Sequence, residues 1–289
     1  MRILLAQLAP EPGNIERNAE RLAAAVRAIP CDLAVFPELY LTGYRIGDRF
    51  HRLALREGDP TVTALQEVAR STNTTVVVGT PLASTERAGE VHNAALAVLP
   101  DGGIRVQVKR YLPTFGPFEE GVPFTPTDRS APVPLAGTSV GLEVCYDVFF
   151  PEVSRQLALG GATLLVAISA SPVTSRRLFE RLLPARAIEN ALPVVFVNRV
   201  GVEDGIVFGG GSAAWNARGE TIPTAPVRFP ATTPEETLSL AEVDLAEAAH
   251  WRPFRPVLRD VAARASPPDS GGPRPPAPSA SPAIPTRPL

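Results

Sequence analysis

Residues 163–198, TLLVAISASPVTSRRLFERLLPARAIENALPVVFVN, contain two short apolar runs separated by one charged segment of helix length. Neither TLLVAI nor PVVFVN alternates apolar with polar positions, so each reads as a strand buried on both faces. The segment between them, over about 175–191, reads as a helix that carries the chain back to the next strand. A strand buried on both faces needs covering layers, and a strand–helix–strand unit supplies them. The stretch therefore indicates an α/β fold.

The same alternation extends in both directions. Residues 2–8 (RILLAQL) read as a buried strand, followed by a helix over about 14–29. Asn14 is placed to cap that helix, and Ile15, Leu22, Ala25, Val26 and Ile29 form its apolar side. Further strands are expected at 32–36, 74–81, 92–98, 103–108, 138–144, 211–216 and 237–243, with helices at about 60–72 and 151–160. No internal repeat of fixed period is visible. Residues 266–289 hold nine of the 32 prolines and almost no large apolar side chains. Such a segment buries too little surface to offset its ordering entropy, so a disordered tail is expected after one domain spanning 1–265.

The 289 residues are 45% hydrophobic and 20% charged, as in a soluble globular protein with a sizeable core. A net charge of −2, with basic and acidic residues interleaved, gives no reason to expect nucleic acid or a membrane surface as partner. The apolar run after Arg2 ends at Gln7, too short for a signal-peptide core, and no stretch of about 18 apolar residues occurs. Two cysteines, Cys31 and Cys145, make no disulfide framework, so a cytoplasmic protein with reduced thiols is expected. His51, His92 and His250 lack any ligand spacing, so no metal is expected. Gly209, Gly210 and Gly211 are followed by SAAW rather than by a helix with a lysine, which argues against phosphate binding.

Three stretches each set a reactive group directly after an apolar strand. They are LAVFPELYLTGY with Glu38, VQVKRYLPTFGPFEE with Lys109, Glu119 and Glu120, and VGLEVCYDVFFPE with Cys145. Singly, each has an ordinary structural explanation: a solvated acid, a surface lysine, a small core thiol. Together they form a chemical set. A thiol attacks an amide as thiolate, so Cys145 needs a base or a positive field, and a helix start at Tyr146 would add one. Glu38 is suited to take the thiol proton, and Lys109 with the backbone N–H of Tyr146 to hold the developing oxyanion.

In order and spacing these stretches resemble the three signature segments of the carbon–nitrogen hydrolase (nitrilase) superfamily. The likeness extends through ILLAQLAPEPGNIERN, GGATLLVAISASP, RAIENALPVVFVNRVG, FGGGSAAWNARGE and EVDL, over about residues 1–250. The resemblance implies a four-layer α-β-β-α sandwich and a cofactor-free Glu-Lys-Cys triad, here Glu38, Lys109 and Cys145. Glu120 matches a second family glutamate that orients the lysine and substrate. The family also implies a homo-oligomer, dimer or higher, and a small-molecule amide as substrate.

LPTFGPFEE, AISASP, Arg176-Arg177 and NRVGVEDGIVFGGGS further resemble the glutaminase domains of glutamine-dependent NAD synthetases, in which Ser171 and Arg177 would hold the substrate. Tyr146 departs from that subgroup, which has a glutamate there, and CYDVFFPE looks more like stand-alone amidases. An amide bearing a carboxylate but no α-amino group reconciles Arg177 with Tyr146. Tyr40, Tyr44, Phe115 and Phe149 are candidates for the pocket wall because they lie near the triad stretches. The alternatives kept are a glutaminase feeding a partner, an N-carbamoyl or nitrile hydrolase, and a binding or scaffold protein without turnover.

Overall fold

The computed structural model describes residues 1–56 and 58–265; the expected tail over 266–289 lies outside the described residues. The chain runs β1 (Arg2–Gln7), α1 (Ile15–Ala28), β2 (Leu33–Val35), α2 (Phe50–Leu53), α3 (Pro60–Thr72), β3 (Thr75–Ala83), β4 (Val91–Val98) and β5 (Ile104–Val108). It continues with β6 (Val133–Leu135), β7 (Thr138–Val144), α4 (Pro151–Leu159), β8 (Leu164–Ser169), α5 (Arg176–Asn190) and β9 (Val194–Asn198). Then come β10 (Val202–Glu203), β11 (Ile206–Val207), β12 (Ala213–Trp215), β13 (Thr221–Ile222), β14 (Thr224–Val227), β15 (Thr237–Glu242), α6 (Ala246–Trp251) and α7 (Val257–Ala265).

Two large sheets result, a seven-stranded one in the order β14-β15-β1-β2-β3-β4-β5 and a six-stranded one in the order β13-β12-β9-β8-β7-β6, with β10-β11 as a separate two-stranded sheet. The side-chain period of two along each strand builds the layers. On β1, Ile3 and Leu5 face the second sheet and pack with Leu142, Val166 and Val197. Leu4 and Ala6 face the other way and pack with Leu22, Ala25 and Val26 of α1 and Val68 of α3. On β8, Val166 and Ile168 point between the sheets, while Leu165 and Ala167 pack under Leu157 of α4 and Leu183 and Ala187 of α5. The order helices, sheet, sheet, helices is the expected four-layer α-β-β-α sandwich.

The expected elements recur with ends shifted by one or two residues, and the Asn14 side chain accepts the Arg17 N–H at 3.1 Å as the cap of α1. The pieces not anticipated are β6, the hairpin β10–β11, β13, β14, the helical turns around 47–53 and the two C-terminal helices α6 and α7. β14 is mostly exposed and carries little periodic signal; it is a strand because Thr224–Val227 lie alongside Leu238–Ala241 of β15. Tyr40, expected near the pocket, is instead fully buried on the α1 side of the first sheet, its ring 5.4 Å from Phe36. No helix among the described residues is long and apolar enough to cross a membrane.

One buried acid in this framework carries a pH prediction. Glu143 points into the layer under α4, takes a hydrogen bond from Ser154, and has its second oxygen unpartnered. Burial pushes its carboxyl up to about 7, against the lowering effect of Ser154. The folded state thus keeps a proton that the unfolded chain releases near pH 4.5, and stability falls as pH rises from there to about 7. Glu143→Gln, isosteric with the neutral acid, should leave the melting temperature unchanged near pH 4.5 and raise it above pH 7. The gain is bounded by about 3 kcal/mol, and thermal melts across pH 4.5–8 measure it.

Candidate active site

The parallel strands β2, β3, β7, β8 and β9 end at the same rim of the two sheets, where α/β folds place their reactive groups. Glu38 follows β2, and Pro37 ends that strand's pairing. Leu39, just after it, has φ +49°, a left-handed turn that is unusual for leucine. The turn is pressed against β3. A Cβ built on Gly79 would lie 2.3 Å from the Leu39 nitrogen and 2.4 Å from the Glu38 Cα, so only glycine lets the strand approach this closely.

Lys109 follows β5 and is fully buried. Its Nζ donates to Glu38 Oε1 at 2.6 Å and to Glu120 Oε1 at 2.7 Å. Burial disfavours the ammonium, but the charges of Glu120 and Glu38 outweigh that and hold its pKa above the ordinary lysine value. Glu120 reaches the lysine because the segment after β5 folds back, its N–H donating to the Pro113 carbonyl. Burial, opposed by Lys109 and helped by Glu38, pushes the Glu120 carboxyl up to about 7. Glu119, its neighbour in sequence, is exposed.

Cys145 directly follows β7 of the second sheet and is itself in a left-handed conformation, φ +51°. A non-glycine residue held there costs roughly 1–2 kcal/mol, a strain typical of functional turns. The expected helix start is a correction: Cys145–Phe149 is a 3-10 turn, and α4 begins only at Pro151. Pro151 forces Phe150 into extended backbone, which separates the turn from the helix and removes a helix dipole from the thiol. Asp147 shapes the turn instead, accepting the N–H groups of Val144 at 3.2 Å, Arg110 at 3.1 Å and Tyr111 at 3.0 Å. It thereby ties the cysteine turn to the lysine stretch. Ser169 Oγ donates to Cys145 Sγ at 3.2 Å. Burial first, then the charge of Glu38, push the thiol pKa up despite Lys109, so the sulfur depends on a base to become the thiolate that attacks.

Three groups here had no separate signal in the functional motifs, and Tyr44, expected at the pocket wall, has a further role that had none. Asn93 on β4 is fully buried and donates through Nδ2 to Glu38 Oε1 at 2.7 Å and Glu120 Oε2 at 3.3 Å, while its carbonyl takes the Lys109 N–H at 2.8 Å. Its only mark in the sequence is a lone amide inside the apolar strand VHNAALAV. The Ala170 N–H, at the end of β8, caps Glu38 Oε2 at 2.8 Å. Tyr44 donates its hydroxyl to Glu120 Oε1 at 2.5 Å; burial and the charges of Glu120 and Glu38 push its phenol up, so it stays a donor. Glu203 accepts the N–H groups of Tyr44 and Arg45 at 2.8 Å each, and is paired with the buried Arg199, which stacks 3.9 Å over Phe208.

The residues expected to bind substrate are less concentrated. Tyr146 is half-buried beside the nucleophile turn. Ser171 is buried with an unpartnered Oγ, its backbone fixed by Asn198. Arg177 is exposed on the first turn of α5 and outside the hydrogen-bonded cluster; its neighbour Arg176 pairs with Glu180 and, with Ser171, lines a small cleft. A larger cavity of about 380 Å³ opens against Tyr44 and Glu120, walled by Arg45, His51, Glu119 and Phe124.

A fold of two facing sheets with a Glu–Lys–Glu cluster at one rim and a strained cysteine beside it matches a known family. Residues 2–253 match the model of the carbon–nitrogen hydrolase family, and the chain belongs to that family. It is thus a hydrolase acting on carbon–nitrogen bonds. An (R)-stereoselective amidase of Pseudomonas sp is 36% identical over 225 residues, covering 77% of this chain and 80% of that protein. A glutamine-dependent NAD(+) synthetase of Thermotoga maritima is 37% identical over 231 residues, 77% of this chain but 39% of that protein. Among solved structures, an amidase from Nesterenkonia sp. AN1 with acrylamide added at its active-site cysteine superposes with a TM-score of 0.73. That pair is 26% identical and covers 91% of this chain and 97% of that one.

Proposed function

We propose that the protein hydrolyses a small-molecule carboxamide to carboxylate and ammonia through a thioester on Cys145. The observation that carries this reading is Lys109 held between Glu38 and Glu120, at 2.6 and 2.7 Å, next to the cysteine turn. Glu38 takes the proton of the Cys145 thiol as Sγ attacks the carbonyl carbon, which answers the raised pKa of the resting thiol. Lys109 and the backbone N–H of Tyr146 stabilise the oxyanion. The tetrahedral adduct collapses, the C–N bond breaks, and ammonia leaves with the proton from Glu38. Glu38 then takes a proton from water as its oxygen attacks the thioester, and the second adduct expels the Cys145 sulfur, which regains a proton. Glu120 holds Lys109 and the substrate in place; no cofactor enters the sequence of steps.

Ammonia release from a panel of amides, with Cys145→Ala as control and mass spectrometry for an acyl adduct of the parent enzyme, tests the reading. Release that persists in Cys145→Ala, or no release from any amide by folded protein, overturns it. A second reading, glutamine hydrolysis for an acceptor, draws on the likeness to the Thermotoga synthetase and on the unpartnered Ser171 hydroxyl. Glutamine as the best substrate of the panel would favour it.

The pH profile carries a further expectation. Lys109, Tyr44 and Asn93 all donate to Glu120, so its ionised form is the one that organises the site. Activity should fall as pH drops through about 7, where Glu120 gains a proton. The Tyr44 hydrogen bond lowers that value, so Tyr44→Phe should move the acidic limb to higher pH. An unmoved limb in kcat/KM against pH would remove Glu120 from this role.

A further inference from the structure

One feature around the nucleophile is not used by the chemistry above: a continuous arc of aromatic rings. Tyr44, whose hydroxyl holds Glu120, meets Phe118 edge-on at 6.1 Å between centroids, and Phe118 meets Phe115 at 5.8 Å. Phe115 contacts Tyr146 at 5.3 Å, and Tyr146 contacts Phe150 at 5.1 Å and Phe149 at 5.4 Å. The arc thus runs from the support of Lys109 on the first sheet to the residue after Cys145 on the second. Phe149, Phe150 and Cys145 lie partly open against one core cluster, and Phe115 is 53% exposed. Rings left half in water beside a reactive centre gain by being covered with apolar surface.

The chemistry of the arc separates acyl groups by type. Of its two hydroxyls, that of Tyr44 is committed to Glu120 and that of Tyr146 is a single neutral group, while its ring faces carry negative electrostatic potential. A carboxylate laid against the ring faces would give up its water for at most one neutral donor, the Tyr146 hydroxyl, at a cost that favours its exclusion. A flat ring, by contrast, would extend the edge-to-face series and bury Phe115. Resting on the proposed amide hydrolysis, we propose that this arc receives the acyl group of the substrate and selects amides whose acyl group carries an aromatic ring.

The test compares kcat/KM for phenylacetamide, acetamide, glutaramate and 5-aminopentanamide in the parent enzyme and in Phe115→Ala, with circular dichroism to establish that the variant is folded. Phenylacetamide should lead the panel, and Phe115→Ala should lower the phenylacetamide-to-acetamide ratio about tenfold, as expected for loss of one well-packed ring contact. Glutaramate or 5-aminopentanamide in the lead, or a ratio unmoved by Phe115→Ala, overturns the assignment of the arc. If no amide is turned over, the hydrolysis reading fails by itself. The arc is then decided by binding of phenylacetamide to Cys145→Ala, read by calorimetry. Saturable binding that weakens with Phe115→Ala upholds it, and no binding overturns it.

Discussion

Lys109→Met should leave a protein that folds with difficulty above neutral pH and turns over amides at least about 10³-fold more slowly. Two effects add. Glu38 and Glu120 are both buried, and each gives up a hydrogen bond to an ammonium, at 2.6 and 2.7 Å. Removing one partner of a buried ion cluster typically costs about 3–5 kcal/mol, because the remaining charges have neither water nor a counterion. In a domain of this size that is a fall in melting temperature on the order of 10 °C. The sign with pH follows from the carboxylates. Glu120 already holds its proton more tightly in the folded state than in the unfolded chain. Removing the lysine that lowers its pKa strengthens this, so the penalty is full at high pH and relieved as pH falls. Thermal melts at pH 5 and pH 8 therefore distinguish this from simple loss of packing, which would be equal at both. The kinetic effect has a separate origin, the loss of the oxyanion donor together with a displaced Glu38. A variant that melts like the parent at pH 8 would mean that the two glutamates do not depend on Lys109 for charge balance.

Gly79→Ala should reduce kcat by about 10² while leaving a folded protein, although Gly79 carries no functional group. The added methyl would sit 2.3 Å from the Leu39 nitrogen, 2.4 Å from the Glu38 Cα and 2.5 Å from the Pro37 carbonyl oxygen. All three are backbone atoms, so no rotamer change relieves the collision, and the turn carrying Glu38 must shift as a unit. That turn is also tied to β3 by hydrogen bonds, Gly79 N–H to the Pro37 carbonyl at 3.0 Å and Leu41 N–H to the Gly79 carbonyl at 3.3 Å. Overpacking of this kind costs about 1–3 kcal/mol. Its larger consequence is for position, since a shift of about 1 Å in a catalytic group is enough for a hundredfold loss. Ammonia-release kinetics beside a far-ultraviolet circular dichroism spectrum measure both parts. An unchanged kcat in folded protein would show that the Glu38 turn yields freely and that its strained geometry is incidental.

Both predictions concern how the site is held, and that is where sequence and structure part. The layers were legible because they depend on local periodicity. TLLVAI and PVVFVN have apolar side chains at successive positions, and burial on two faces demands helices on one side and a second sheet on the other. The expected positions of Glu38, Lys109 and Cys145 after strands were legible for the same reason, since a strand's end can be read from Pro37 and from the break in each apolar run. The helix expected at Tyr146 failed on a local rule that was available, the effect of Pro151 on the residue before it. Tyr40 failed on a global one: nearness to Glu38 along the chain says nothing of which side of the sheet a side chain takes after a left-handed turn.

Propensity and hydrophobic period act over a few residues, and they suffice for the α/β layering and for the three chain positions at which reactive groups leave the strands. Contacts between distant segments are needed for Asn93 to bridge the two glutamates, for Tyr44 to support Glu120, and for the Ala170 N–H to cap Glu38 from 132 residues away. They are also needed for the rings of Phe115 and Tyr146, 31 positions apart in the numbering, to meet beside the cysteine. These contacts form when two sheets close on one another, and the free energy that closes them is spread over the whole apolar interface between the sheets. No short segment of the chain carries that information, so the residues that complete the site have no local signature.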